Sequence, residues 1–347
     1  MKKIRLWLGL LALALLALTG CGNEEMTGEV VNIYNWGEYI NPDLLTKFED
    51  ETGIKVIYSN FTTNEDLYVK LKNGGSSYDL VCPSDYMLER MIKEGMLAKL
   101  NFDNIPNMKY IDEEYLYHSC DPNQEYSVPY FWGTLGITYN KTMVKEEVKS
   151  WDILWDEKYA RNIIMLDSSR DSLGVALARR GYSINSKNID EMEEAKQDLI
   201  EQYPIVYAYL VDQIKDVMKN NEAAMAVMFS GDAQDAIIHN ENLAYVIPEE
   251  GGNLWIDSFA VPADAPNKEN AEKFINFILE PENAALNAEW VGYSLPSSEG
   301  RALLPEEYRD SEVSYPPKEK LKNLEVFQHP GDFIHYYDEI WQDIKNR

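Results

Sequence analysis

Basic side chains are scarce in this chain. Of 347 residues, 32 are Lys or Arg against 59 Asp or Glu, a formal charge of −27. Binding to a phosphate backbone needs clustered Lys and Arg, so the composition argues against a nucleic-acid partner. Cysteine is scarcer, with three residues, Cys21, Cys82 and Cys120, and no Cys-x-x-Cys spacing. That excludes a disulfide-built scaffold; a single Cys82–Cys120 bridge and two buried thiols remain equally open. The four histidines (His118, His239, His329 and His335) have no metal-ligand spacing, so no metal or other cofactor is expected. There is no Gly-x-Ser-x-Gly elbow, Walker loop or HExxH pair. No long apolar run occurs after residue 18, and no Pro/Ser linker, repeat or low-complexity tract divides the chain.

The one apolar run present is at the start. Residues 1–5 are basic, residues 6–18 are almost wholly Leu, Ala, Gly and Trp, and Leu18-Thr19-Gly20-Cys21 follows. The run is too short for a membrane span and polar sequence follows at once, the pattern of a secretory signal. Leu-Thr-Gly-Cys resembles a bacterial lipobox. Residues 1–20 are therefore expected to be a signal peptide and Cys21 the lipidated first residue of the mature chain. Residues 21–29 read as a polar tether, which places the protein at the outer face of the cell membrane. Loss of Lys2, Lys3 and Arg5 leaves the mature chain still more anionic. Such a field attracts cations and raises their encounter rate.

Along the mature chain, apolar strand-like runs alternate with helical patterns. Strands are expected at 30–34, 54–58, 79–82, 135–139, 163–166, 206–209, 224–228, 245–247 and 254–261. Helices are expected after Asn41-Pro42 (stopped by Gly53), after Asn64 as a cap, after the third strand (carrying Met87, Met91 and Ile92 and ending at Gly95), and over 190–202, 267–279 and 333–345. Gly74-Gly75 and Gly251-Gly252 read as turns. Alternation of this kind argues an α/β fold with mostly parallel sheets flanked by helices, in two lobes joined by crossing strands. Ligands bind such sheets at the carboxyl ends of the strands.

Aromatic and acidic side chains recur at those ends: Asn35-Trp36-Gly37-Glu38-Tyr39, Ser84-Asp85-Tyr86, Asp167-Ser168-Ser169-Arg170-Asp171 and Phe229-Ser230-Gly231-Asp232; Trp255-Ile256-Asp257 sits in or beside a late strand, and Tyr293 follows Gly292. Singly each is weak. A Trp at a strand end usually packs in a core, and Asp171 or Asp232 before a helix could equally be an N-cap. Together they suit organic ammonium binding. A cation over an aromatic face gains about 0.5–2 kcal/mol, and an ammonium–carboxylate hydrogen bond about 1.5–3 kcal/mol. Aromatic walls also bury methylenes at about 0.8 kcal/mol each. A monoamine would leave one carboxylate unpaired, at a cost of about 2–5 kcal/mol.

At four runs, residues 34–39, 51–59, 126–133 and 251–258, the sequence resembles the spermidine/putrescine-binding subunits of ABC importers, over nearly the whole mature chain. The resemblance implies a type II periplasmic-binding-protein clamshell, with one lobe from 30–134 and 259–303 and the other from 135–258 and 304–347. It implies a monomer that closes over one polyamine and hands it to a membrane permease, without catalysis. Trp36, Tyr39, Tyr86, Trp255 and Tyr293 would form an aromatic box; Ser84 and the Gly37 backbone would make polar contacts; Asp257 would hold a terminal ammonium. Asp171 stands where the family has Glu, and Gln328 matches a polar residue on the ligand side. The chain departs from spermidine binders at Ser168, where they carry an acid, and at Phe229, where they carry Trp. Asp232 stands where putrescine-preferring relatives are acidic, and Glu38 is acidic in both groups and acts indirectly. Alternatives are another ligand for the same cleft (a sugar or other organic cation), an exported glycoside hydrolase using two of the many carboxylates, and a sensory role for the same clamshell.

Overall fold

The computed structural model describes residues 29–74 and 77–346; the signal and Cys21 lie outside the described residues. The chain opens with β1 (Val30–Trp36), α1 (Pro42–Thr52), β2 (Lys55–Phe61), α2 (Asn64–Lys72), β3 (Leu80–Val81) and α3 (Asp85–Lys93). Local chemistry sets these boundaries. The Asn41 side chain accepts the Asp43 N–H, Pro42 starts the helix, and Gly53 ends it in the left-handed conformation. The second helix corrects the sequence reading: Thr63, not Asn64, is the N-cap and accepts the Asp66 N–H. The Asn64 amide is used elsewhere, on Ser84.

The middle of the chain runs β4 (Ser127–Asn140), β5 (Ile163–Leu166), α4 (Ser169–Arg179), α5 (Ile189–Gln202), β6 (Val206–Leu210), α6 (Ile214–Lys219), β7 (Met225–Phe229), α7 (Ser230–His239), β8 (Leu243–Val246) and β9 (Gly252–Ala260). It ends with α8 (Lys268–Ile278), α9 (Pro281–Val291), α10 (Ser298–Ala302), α11 (Glu306–Arg309), β10 (Leu324–Glu325) and α12 (Ile334–Lys345). Only the second half of β4 was expected. Residues 127–138 are buried without interruption, so the alternation that marks a half-exposed strand is absent.

The sheet order is β2-β1-β3-β9-β4-β7-β5-β6, with β8 on β4 and β10 on β9. β1, β2 and β3 are parallel, as are β5, β6 and β7. The long strand β4 pairs antiparallel with β9 over Ser127–Thr134 and with β7 over Leu135–Tyr139. It thus passes from one apolar core (Ile33, Phe48, Phe131, Phe259, Phe274) into another (Leu135, Trp151, Met165, Met228, Tyr337). A smaller cluster around Leu67, Met87, Leu88 and Met91 flanks the first core. This is a two-lobed clamshell of the type II periplasmic-binding-protein class, in which strands cross between the halves.

Cys82, buried in the first core, and Cys120 are both free thiols. Among the described residues no three His, Cys, Asp or Glu could hold a metal ion, and no helix is long and apolar enough to cross a membrane.

Gly251 is more than a turn residue. Its φ is +98°, and a Cβ there would meet the Asn323 carbonyl oxygen at 2.0 Å, just before β10 pairs in parallel with β9. Gly251→Ala is expected to destabilise the fold by about 2–4 kcal/mol through left-handed strain and overpacking, read as a lowered urea midpoint.

Candidate ligand-binding site

The ends of β1, β3, β5 and β7, together with the middle of β9, deliver candidate side chains to the boundary between the two cores. On the side of the first core, Trp36 is held by its indole N–H, which donates to the Cys82 carbonyl at 2.9 Å, and its ring lies 4.5 Å from Phe61. Gly37 and Glu38 form the exposed turn after β1, with Glu38 at φ +50°. Tyr39 is buried, and its hydroxyl donates to Asp257 Oδ2 at 2.7 Å. The Tyr130 hydroxyl fixes its backbone by donating to the Tyr39 carbonyl at 2.6 Å.

Ser84 caps α3 by position and forms an isolated antiparallel bridge with Asp257. Asn64 clamps it from both sides, donating to Ser84 Oγ and accepting the Ser84 N–H, each at 3.1 Å. Tyr86, two residues on, donates its hydroxyl to Glu65 and packs against apolar residues of both halves. Trp255 meets Tyr293 edge-on at 5.1 Å and Phe229 at 6.0 Å, and Tyr293 meets Tyr39 at 5.7 Å. Phe229 likewise packs against both cores.

On the other side, Ser168 is the N-cap of α4. Its hydroxyl accepts the Asp171 N–H and donates to Asp171 Oδ2 at 2.6 Å. Phe229 occupies the cap position of α7. Neither Asp171 nor Asp232 is therefore an N-cap; both are acids of a first turn. Asp232 accepts the Tyr293 hydroxyl at 3.0 Å and faces Lys215 Nζ at 3.5 Å. Tyr293 can lie there because residue 231 is glycine: a Cβ would sit 2.0 Å from the Tyr293 ring. Gln328 is exposed and joins this group through its backbone, donating its N–H to Asn185 and accepting from Arg170. Arg170 is buried and stacks on Tyr86, Phe327 and Tyr337.

Two features define the electrostatics. Asp257 and Asp171 are 7 % and 9 % exposed, and each has one carboxylate oxygen, Oδ1, buried with no hydrogen-bond partner. The buried Trp255 indole N–H and the Asn253 amide oxygen also have none. Second, burial raises the pKa of Asp257, Asp171, Asp232 and Asp85. It pushes Asp257 up to about 6, with the Tyr39 hydroxyl and Ser84 offsetting part of the shift. Burial likewise raises Asp171 against the Ser168 hydroxyl, Asp232 against Lys215, and Asp85 against the N–H groups of Tyr86 and Ile256. An unpaired carboxylate in a desolvated setting is stabilised most by an arriving cation that brings its own hydrogen-bond donors.

Three contributors escaped the sequence reading. Asp85 lies in a quoted motif, but its role, accepting the Ile256 N–H between Trp255 and Asp257, needs the β9 register. Asn64 reads as an ordinary cap. Lys215 carries no local signal.

The fold and this cleft define a two-lobed solute-binding protein. The chain belongs to the bacterial extracellular solute-binding protein family, whose model matches residues 43–314. It is 37% identical over 338 residues to the spermidine/putrescine-binding periplasmic protein of Salmonella typhimurium, covering 97% of both chains. Among solved structures it is similar to the spermidine/putrescine ABC transporter substrate-binding protein PotD of Streptococcus pneumoniae. That match has 43% identity and a TM-score of 0.81, covering 92% of this chain and 99% of that one. The PotD lipoprotein of Treponema pallidum is 30% identical with a TM-score of 0.84, covering 92% of this chain and all of that one.

The raised pKa of Asp257 makes a stability prediction. Between its ordinary 3.8 and about 6 the folded chain holds a proton that the unfolded chain has released. Its contribution therefore falls as pH rises through that window and is gone above it. Asp257→Asn should raise the stability of the ligand-free protein at pH 7 by about 1–3 kcal/mol. It should also flatten the decline in urea midpoint between pH 4 and 7; an unchanged slope would remove Asp257 as its source.

Proposed function

We propose that this chain is the polyamine-binding subunit of an ABC importer, taking putrescine or spermidine between its lobes and delivering it to a membrane permease. The observation that carries the reading is the pair of buried acids, Asp257 and Asp171, each with one free carboxylate oxygen, set beside a wall of rings. Each acid takes one ammonium. Trp36, Tyr39, Tyr86, Phe229, Trp255 and Tyr293 cover the methylenes between them. Ser84 and the Gly37 backbone orient one end, Gln328 borders the other, and Glu38 and Asp232 act at the rim.

The physical logic favours a slender cation over a neutral sugar. A sugar hydroxyl can donate to a carboxylate but leaves its charge buried, whereas an ammonium cancels it. The names of the curated relatives and of the solved structures point the same way. The lobes are proposed as 30–134 with 259–303 and 135–258 with 304–347, with one amendment. The second crossing lies nearer Leu254, because Trp255–Ser258 pair with Pro129–Gly133 on the first-core side. We further propose that the mature chain is a monomer tethered by a lipid on Cys21.

Titration calorimetry of ligand-stripped protein should give a micromolar or tighter Kd for putrescine or spermidine, about −8 kcal/mol, and no heat with neutral sugars. Absence of binding by both amines would reject the reading. Asp257→Asn should weaken the bound amine by about 2–5 kcal/mol. Affinity should fall as pH drops below about 6, because the carboxylate must lose its proton before an ammonium can pair with it. Cys21→Ala should release the exported protein from cells into the medium, scored by fractionation.

A further inference from the structure

The cleft contains a cation of its own. Lys215, in the short helix α6, places its Nζ 3.5 Å from Asp232 Oδ1. The other oxygen of Asp232 accepts the Tyr293 hydroxyl, and the Tyr293 ring contacts both Trp255 and Tyr39. A continuous path thus leads from the Lys215 ammonium into the aromatic walls. Asp235, the next acid along α7, is already engaged by Lys219 at 2.6 Å and by His239. Asp232 is therefore left to Lys215. Burial of the lysine lowers its pKa, and Asp232, Asp235 and Glu38 together outweigh that and raise it, so it stays charged. Glu38 belongs to the turn after β1, on the opposite side of the cleft, so the ammonium is set between acids of both halves.

We propose that Lys215 stands in for the outermost ammonium of a longer polyamine and makes the site selective for a diamine over a triamine. The proposal rests on the polyamine reading of the cleft and deepens it. A diamine has two charges, which match Asp257 and Asp171, the acids beside the ring wall with an unsatisfied oxygen. A linear triamine carries a third, and the acid next in line beyond the ring wall, Asp232, is already paired. The third ammonium must then expel Lys215 from its ion pair or lie against a like charge. Either lowers its affinity relative to the shorter ligand. Asp212, which acts on Asp232 from nearby, is exposed and offers water-screened compensation only.

The test is calorimetry of wild type and Lys215→Gln with putrescine and with spermidine. The variant should shift the ratio of the two dissociation constants toward spermidine by at least about tenfold. Asp232→Asn added to Lys215→Gln should abolish that gain, since the third ammonium then loses its partner. An unshifted ratio in Lys215→Gln overturns the proposal. So does an equal loss for both ligands, which would make the lysine a latch between the halves. Wild-type protein that binds neither amine would instead overturn the polyamine reading, and this inference with it.

Discussion

A carboxylate taken out of water without a counter-charge is the constraint on which this structure turns. Asp257 sits in β9, its one satisfied oxygen fixed by the Tyr39 hydroxyl and its other oxygen bare. Such a group raises its own pKa and lowers the stability of the fold that holds it. The neighbourhood is arranged around that cost rather than to remove it. Tyr130 fixes Tyr39, Asn64 fixes Ser84, and Asp85 ties the start of α3 to β9. The acid is held in place but left unneutralised. Stability is given up at the position where a cationic ligand would restore it, the expected trade at a binding site.

The topology explains how two halves share one cleft. β4 belongs to both cores, and its partner β9 begins beside Trp151 of one core and ends at Phe259 of the other. Strands that cross in this way are continuous hydrogen-bonded elements, so relative motion is confined to bending where they pass between cores. Hinge closure of this kind can expel water from a cleft and strengthen each charge pair inside it. Phe229 and Tyr86, which touch apolar residues of both halves, mark where the faces already meet.

Much of the architecture was readable because its signals are local. The Asn41-Pro42 start and Gly53 stop of α1 depend on a few adjacent residues. The strand-helix alternation required only apolar runs of ordinary length. The reading failed where burial on every side erased periodicity, as in the first half of β4. It failed again where a polar side chain had two plausible partners: Asn64 could cap its own helix, and the fold instead spends its amide on Ser84, twenty residues away. Likewise, Asp171 and Asp232 resemble caps, but Ser168 and Phe229 hold those positions.

The order of residues alone determined the acidic balance, the α/β class and the recurrence of rings and acids at or near strand ends. Those follow from composition and from neighbours within a few positions. Tertiary structure decided which acids are desolvated, which of their oxygens are already taken, and that a lysine from α6 reaches Asp232. Desolvation depends on everything packed around a group. An ion pair between two neighbouring helices depends on how those helices pack, and no local pattern encodes either.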